Sequence, residues 1–220
     1  MFRGIRPFNQ PESYEGWYKE PLGEYVLKAE LKGLDLLLPK SGLGADFGAG
    51  TGIFAEHLMT EDRTILCVDP AVKMLSNAQK RGLQTVLGVA EYPPIKHQSL
   101  DFIYLVAVIE FLDDPIRALS SLKDLLKKGS PIIVLMINRE SPWGEAYIEA
   151  GERGDPIFSY ASFYTLKEVM GFLKEAEYAL SEVIGTLIDP PTVIPNRSPP
   201  LVKPGERPDA GVFLVKGIKI

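Results

Sequence analysis

Three glycines at alternate positions, Gly48, Gly50 and Gly52, follow the small and apolar run Leu43 to Phe47, and an apolar helical face resumes at Ile53, Phe54 and Leu58. A strand that ends in such a turn and feeds a helix makes a cradle for an anion or a nucleotide. Glycine lets the backbone come close to a ligand, and the helix N-terminus supplies free N–H groups and positive potential. Nineteen residues beyond Gly50, Asp69 closes a second apolar segment, Arg63 to Val68. An ionised carboxylate in that place can accept hydrogen bonds from two adjacent hydroxyls at once.

Two established glycine-rich patterns fit the turn less well. The dinucleotide fingerprint needs a small residue three positions after its second glycine, so that helix and strand pack closely, and Ile53 occupies that position. A Walker loop requires Gly-Lys-Ser/Thr, which does not follow. A dinucleotide oxidoreductase therefore stays a weak alternative, with NAD binding as its consequence.

Elements must place the turn and the acid side by side. Residues 1–13 read as irregular. From Tyr14 to Leu38 apolar residues recur at three- and four-residue steps, interrupted at Pro21-Leu22-Gly23, which predicts two successive helices closed by Pro39-Lys40-Ser41-Gly42. After the glycine strand and its helix, Arg63–Asp69 reads as a second strand. Pro70 then opens a helix carrying Met74, Leu75 and Ala78 on its apolar face. Gln84–Gly88 is a short third strand, and the unbroken apolar run Asp101–Ile109 a fourth, as a parallel strand buried on both faces requires. Pro115 opens a helix stopped by Gly129, and Pro131–Ile137 is a fifth strand. Residues 138–162 carry loop signals. Thr165-Leu166-Lys167-Glu168 is a capping box starting a helix to about Ala176, followed by a sixth strand, Leu180–Leu187. A Pro-rich connection from Asp189 to Pro208 leads to a seventh strand, Gly211–Ile218. Alternating strands and helices with a terminal strand pair imply an α/β sandwich with a mostly parallel sheet.

The pattern Asp46-x-Gly48-x-Gly50-x-Gly52 resembles the first motif of class I S-adenosylmethionine-dependent methyltransferases, and the chain is similar to small-molecule enzymes of the ubiquinone/menaquinone-biosynthesis-like superfamily from about residue 40 to 185. Gly88-Val89-Ala90-Glu91-Tyr92-Pro93-Pro94 stands where that family has its adenine-edge loop. Ser99-Leu100-Asp101 stands at the strand entry, Asp113-Asp114-Pro115 at the helix start, and Leu126-Lys127-Lys128-Gly129-Ser130 at the following turn. The resemblance implies a Rossmann-like, seven-stranded, mostly parallel sheet flanked by helices, with the last strand antiparallel. It also implies an N-terminal helical cap over 1–38 and a binding domain over 39–220. It implies S-adenosylmethionine as cofactor, with Asp46, Gly48, Ala49, Gly50 and Gly52 around the methionine part and Asp69 on the ribose. Pro70, Met74, Ala90 and Glu91 would meet the adenine, Leu105 and Val106 the methyl-donor end. Val89 stands in place of the acid that often binds the adenine amino group, and Glu110-Phe111 in place of a histidine pair.

Each of these residues also has a plain structural reading. Asp69 suits a helix N-cap, Met74 suits core filler, and Glu110 suits a solvated strand end as well as a group that orients an amine. Tyr14, Trp17 and Tyr18 share one helical face. They either bury against the sheet or close over the cofactor, where an aromatic face stabilises a sulfonium cation; Tyr14 and Trp17 are the favoured pocket residues. Arg139, Glu140, Tyr160, Tyr164 and Arg207 are loop candidates for an acceptor pocket. No catalytic residue is assigned. His57 and His97 are too few for a histidine metal site, and no metal is expected.

Composition narrows the class further. The 220 residues are 45% hydrophobic and 24% charged with net charge −5, and no basic stripe points to nucleic acid or an anionic membrane. The longest apolar run, Phe102 to Ile109, is too short to span a bilayer, and the two arginines near the start have no apolar run behind them. The lone Cys67, set in an apolar segment, reads as a buried hydrophobe in a cytoplasmic protein. The expectation is a methyltransferase acting on a small molecule by in-line displacement. Residues 1–38, 138–162 and 189–209 form its lid. A protein or peptide methyltransferase, or a non-catalytic cofactor-binding protein, are the alternatives. Oligomeric state is not encoded in any of these features.

Overall fold

The computed structural model describes Phe8 and residues 10–220; the irregular reading of residues 1–7 and 9 lies outside the described residues. From Pro11 the chain is already helical. Helix α1 (Pro11–Tyr18) and helix α2 (Pro21–Leu37) both carry proline at the first helical turn, where its missing N–H costs nothing. The sheet is built from β1 (Gly42–Phe47), β2 (Arg63–Asp69), β3 (Gln84–Leu87), β4 (Phe102–Val106), β5 (Pro131–Ile137), β6 (Tyr178–Thr186) and β7 (Val212–Lys219). Its spatial order is β3-β2-β1-β4-β5-β7-β6. The first five strands run parallel, and β7 is antiparallel to both β5 and β6. Between strands lie α3 (Ile53–Leu58), α4 (Val72–Lys80), α5 (Pro115–Leu125), α6 (Pro142–Glu152) and α7 (Leu166–Glu175).

Alternation along the strands divides the core between the two faces of the sheet. Phe102, Tyr104, Ile133, Leu135 and Leu214 pack with α2 and α3 through Ala29, Leu34, Phe54 and Leu58. Ile103, Leu105, Val134, Met136 and Phe213 pack with α5 and α7 through Leu119, Leu122, Val169 and Leu173. Parallel strands covered on both faces must be apolar throughout, and β5 is buried at every position. The strand order reverses between β1 and β4, so their C-terminal ends diverge into a crevice, the usual ligand position of such sheets.

Four local expectations are corrected, each for a physical reason. The fourth strand ends at Val106 rather than Ile109. Ala107 adopts φ +48°, its N–H still reaches Leu135 O at 3.0 Å, and a 3-10 turn over Ile109–Phe111 follows. The helix after β2 begins at Val72, not at Pro70, because Asp69 Oδ1 takes the Ala71 N–H at 2.7 Å and bends the chain first. Residues 142–152 form α6 rather than loop: Ser141 caps it by accepting from Gly144 N–H at 3.0 Å, and Pro142 sits in its first turn. Gly144 is required there, since a Cβ would lie 2.2 Å from Asn138 O. The Pro-rich connection is strapped to the sheet. Val202 and Gly185 exchange N–H···O bonds of 2.8 and 2.9 Å, Lys32 Nζ donates to Pro199 O, and Trp143 Nε1 donates to Asp189 O.

Candidate active site

At the end of β1 the chain turns through Gly48, Gly50 and Gly52 at φ +77°, +56° and +77°, a left-handed backbone that favours glycine. Gly48 has a second reason to lack a side chain: a Cβ would lie 2.3 Å from Val108 Cγ2 on the turn after β4. The turn is held by Gly48 and Ala49 N–H groups donating to Val68 O at 2.8 and 3.1 Å, and by Gly50 N–H donating to Asp69 Oδ2 at 2.8 Å. Asp69 is therefore the hinge pin between β1 and β2. Each of its oxygens takes one backbone N–H, which leaves a lone pair on each for a ligand. That is the acceptor set two vicinal hydroxyls require.

A cavity of about 520 Å³ opens over this turn, within the usual range for small-molecule sites. It is lined by Gly48, Gly50, Asp69, Pro70, Met74, Ala90 and Glu91 from the turn, from β2 and from the chain that follows them. Tyr14, Trp17, Tyr18, Glu30, Val106, Trp143, Tyr147 and Phe158 line the same cavity. Ten of the fourteen residues singled out from the sequence thus face one space. Asp46, Ala49, Gly52 and Leu105 do not line it. Asp46 lies beneath the turn, between its register neighbours Cys67 and Tyr104, with Oδ2 lacking a hydrogen-bond partner among the described residues. Met74 both packs in the core and approaches the turn, 3.3 Å from a Cβ built on Gly50. The loop candidates lie elsewhere: Arg139 pairs with Glu168, and Arg207 pairs with Asp209 and donates to Ile188 O. From the expected lid loops, Trp143, Tyr147 and residues 155–158 line the cavity, and none of 189–209 does.

The aromatic face of α1 lies over the cavity rather than solely on the sheet. Tyr14 and Tyr18 meet edge-on at 5.2 Å, and so do Trp17 and Tyr18 at 4.9 Å and Tyr18 and Phe54 at 5.9 Å. Arg81, at the end of α4, fastens α1 to the turn. It pairs with Glu15 of α1 at 2.8 Å and with Glu56 of α3, and its Nε donates to Thr51 O at 3.1 Å.

Sequence reasoning missed the most unusual wall residue. Glu30 of α2 is only 5% exposed and its Oε2 has no hydrogen-bond partner among the described residues. Burial, and after it the negative charge of Glu110, push its carboxyl up to about 8. The signal was present: Glu30 falls among Val26, Ala29, Gly33, Leu34 and Leu37, the buried stripe of α2, where an acid has no structural use. Glu110 is likewise 1% exposed rather than a solvated strand end. It accepts from Ile137 N–H at 2.7 Å, in place of the ladder that β4 has already left, and burial raises it to about 7.

Burial also raises Asp46 to about 8 and Asp69 to about 6. All four acids hold protons more tightly in the folded chain than in the unfolded one. Folded protein therefore carries more protons between about pH 4 and 8, and stability falls as pH rises through that window. The acids held low by ion pairs, Asp35 by Arg63 and Asp101 by Lys127, titrate below it. The thermal midpoint of the ligand-free chain is expected to be several degrees lower at pH 8 than at pH 5, at roughly 2–4 °C per kcal/mol for a chain of this size. A scan in which the midpoint climbs between those values would contradict this accounting.

Residues 45–134 match a family model described as a methyltransferase domain. A crystal structure from Thermotoga maritima, described as a SAM-dependent methyltransferase, possible histamine N-methyltransferase, superposes with a TM-score of 0.81 and 31% identity, over 95% of each chain. An uncharacterised protein of Methanocaldococcus jannaschii is 33% identical over 164 residues, 74% of this chain and 76% of its own. A ubiquinone biosynthesis O-methyltransferase of Xanthomonas oryzae is 24% identical over 160 residues, 66% of each.

Proposed function

Because this chain belongs to the S-adenosylmethionine-dependent methyltransferases, we propose that it methylates a small molecule held between α1, α2 and α6. The cofactor, S-adenosylmethionine, supplies an electrophilic methyl on a sulfonium with a good neutral leaving group. The residues present fit it: bare backbone at Gly48 and Gly50 for the amino-acid part, two open acceptor sites on Asp69 for the ribose, and Met74 with the Ala90–Glu91 loop for the base. What the chain then contributes is alignment, exclusion of water and a lone pair presented in line. Val106, at the end of β4, and Tyr14 line the same cavity.

The observation that carries the small-molecule reading is the roof. α1 is latched over the glycine turn through Arg81, and the stacked pair Tyr147–Phe158, 4.3 Å apart, lines the same cavity. A folded polypeptide would have to displace α1 to reach the cofactor, whereas a compact acceptor fits beneath it. Helices α1 and α2 act in this reading as the cap. The names carried by the Thermotoga and Xanthomonas relatives agree with acceptors of that size.

The test is transfer of label from methyl-labelled S-adenosylmethionine into cell extract, with polypeptide separated from metabolite. Label is expected in the metabolite fraction and dependent on the full chain. Label confined to polypeptide would support the protein methyltransferase instead.

A further inference from the structure

We propose that Glu30 is the anchor for a basic nitrogen of the acceptor, so that the substrate class is a small amine carrying an apolar or aromatic body. The inference rests on the small-molecule reading above and adds to it the chemistry of the acceptor.

A carboxylate in this position needs a partner. Glu30 lines the cavity, its Oε2 is unpartnered, and among the described residues no basic side chain is recorded in an ion pair with it. The titratable groups around it are acidic or phenolic. The negative charge of Glu110 acts on it, Tyr14, Tyr18 and Tyr147 are raised chiefly by burial and further by its charge, and Asp69, Glu91 and Asp155 face the same cavity. Two buried carboxyls acting on one another cannot both ionise cheaply, so the chain's own remedy is to keep a proton on Glu30. An alkylammonium entering the cavity replaces that proton and pairs with the carboxylate. Tyr18, Tyr147 and Trp17 offer the electron-rich faces that favour a cation and the apolar area that takes the rest of the molecule.

The same contact suits the reaction. An ammonium has no lone pair, and one proton must leave nitrogen before a bond to carbon can form; Glu30 is placed to receive it. As the N–C bond forms and the C–S bond breaks, the positive charge passes from sulfur to nitrogen, where the Glu30 side chain again faces it. One proton is released to solvent for each methyl transferred.

Calorimetric titration of the full chain loaded with S-adenosylhomocysteine tests this, using 2-phenylethylamine and its neutral counterpart 2-phenylethanol at pH 7 in buffers of different ionisation heat. The amine is expected to bind at least tenfold tighter than the alcohol and to release a proton on binding. Glu30→Gln is expected to weaken the amine by tenfold or more, to abolish proton release, and to leave the alcohol and S-adenosylhomocysteine within about twofold. Should the Gln chain fold poorly, the unaltered chain still decides the matter, because its amine affinity must carry the proton linkage. Equal binding of amine and alcohol, no uptake of the amine at millimolar concentration, or amine binding unchanged by Glu30→Gln each overturns the proposal. A neutral acceptor found to be methylated in extract would overturn the amine and leave the small-molecule reading standing, whereas label on polypeptide would remove that reading.

Discussion

Asp69→Ala is expected to lower affinity for S-adenosylhomocysteine at least 100-fold while leaving the chain folded. The carboxylate does two things at once. It fixes the glycine turn through Gly50 N–H and the start of the α4 approach through Ala71 N–H, and it leaves a lone pair on each oxygen, which the proposed reading gives to the ribose. Hydrogen bonds to a charged group contribute about 1.5–3 kcal/mol each, and two lost together exceed the ~2.7 kcal/mol that a 100-fold change represents. The fold should survive, because Asp69 is itself held at a cost: burial raises its carboxyl, and removal relieves that. Asp69→Asn, which keeps one acceptor oxygen, should fall between. Calorimetry reads the affinity and circular dichroism the fold; a loss smaller than about threefold in the alanine variant would show that the ribose is held elsewhere.

Gly48→Ala is expected to destabilise the chain strongly for two separate reasons. Its φ of +77° disfavours any side chain, and its Cβ would sit 2.3 Å from Val108 Cγ2. Left-handed backbone costs an alanine about 1–2 kcal/mol, and overpacking a tight contact costs about 1–3 more. The thermal midpoint should drop by roughly 5–15 °C at about 2–4 °C per kcal/mol. Val108 cannot yield freely, since it leads into the 3-10 turn that carries Glu110, so cofactor affinity should fall as well. Gly82→Ala separates the two causes. Gly82 has φ +79° with open space around its Cβ, and should lose only the backbone part without change in affinity. Pairing Gly48→Ala with Val108→Ala should recover part of the midpoint; no recovery would mean that the clash is not what matters.

The cofactor half of the molecule was legible because its chemistry constrains sequence locally. A left-handed turn demands glycine, a ribose demands an acid at a strand end, and β2, β5 and the Thr165–Glu168 capping box announce themselves by period and by cap. The places that resisted were those where one local signal supports two structures. Pro142 and Gly144 read as breakers, yet the proline occupies a first turn and the glycine lets α6 touch the Asn138 backbone. The apolar run after Val106 looks like more strand. A left-handed Ala107 ends it, a feature that only the loss of the β5 ladder and the buried Glu110 carboxylate explain. Glu30 escaped because an acid on a helix is ordinarily a solvated residue. Recognising it required noticing that its neighbours on the stripe, Val26 and Leu34, are buried. The proposed acceptor side has no motif because the cavity residues assigned to it come from α1, α2, α6 and the chain beyond, brought together only by the fold.

The most direct measurement is a crystal structure of the chain with S-adenosylhomocysteine bound. The account predicts both ribose hydroxyls on the Asp69 carboxylate, the amino-acid part against Gly48 and Gly50, and the sulfur directed toward the space bounded by Tyr14, Trp17 and Glu30. A ribose that makes no contact with Asp69, or a sulfur turned away from that space, would contradict it.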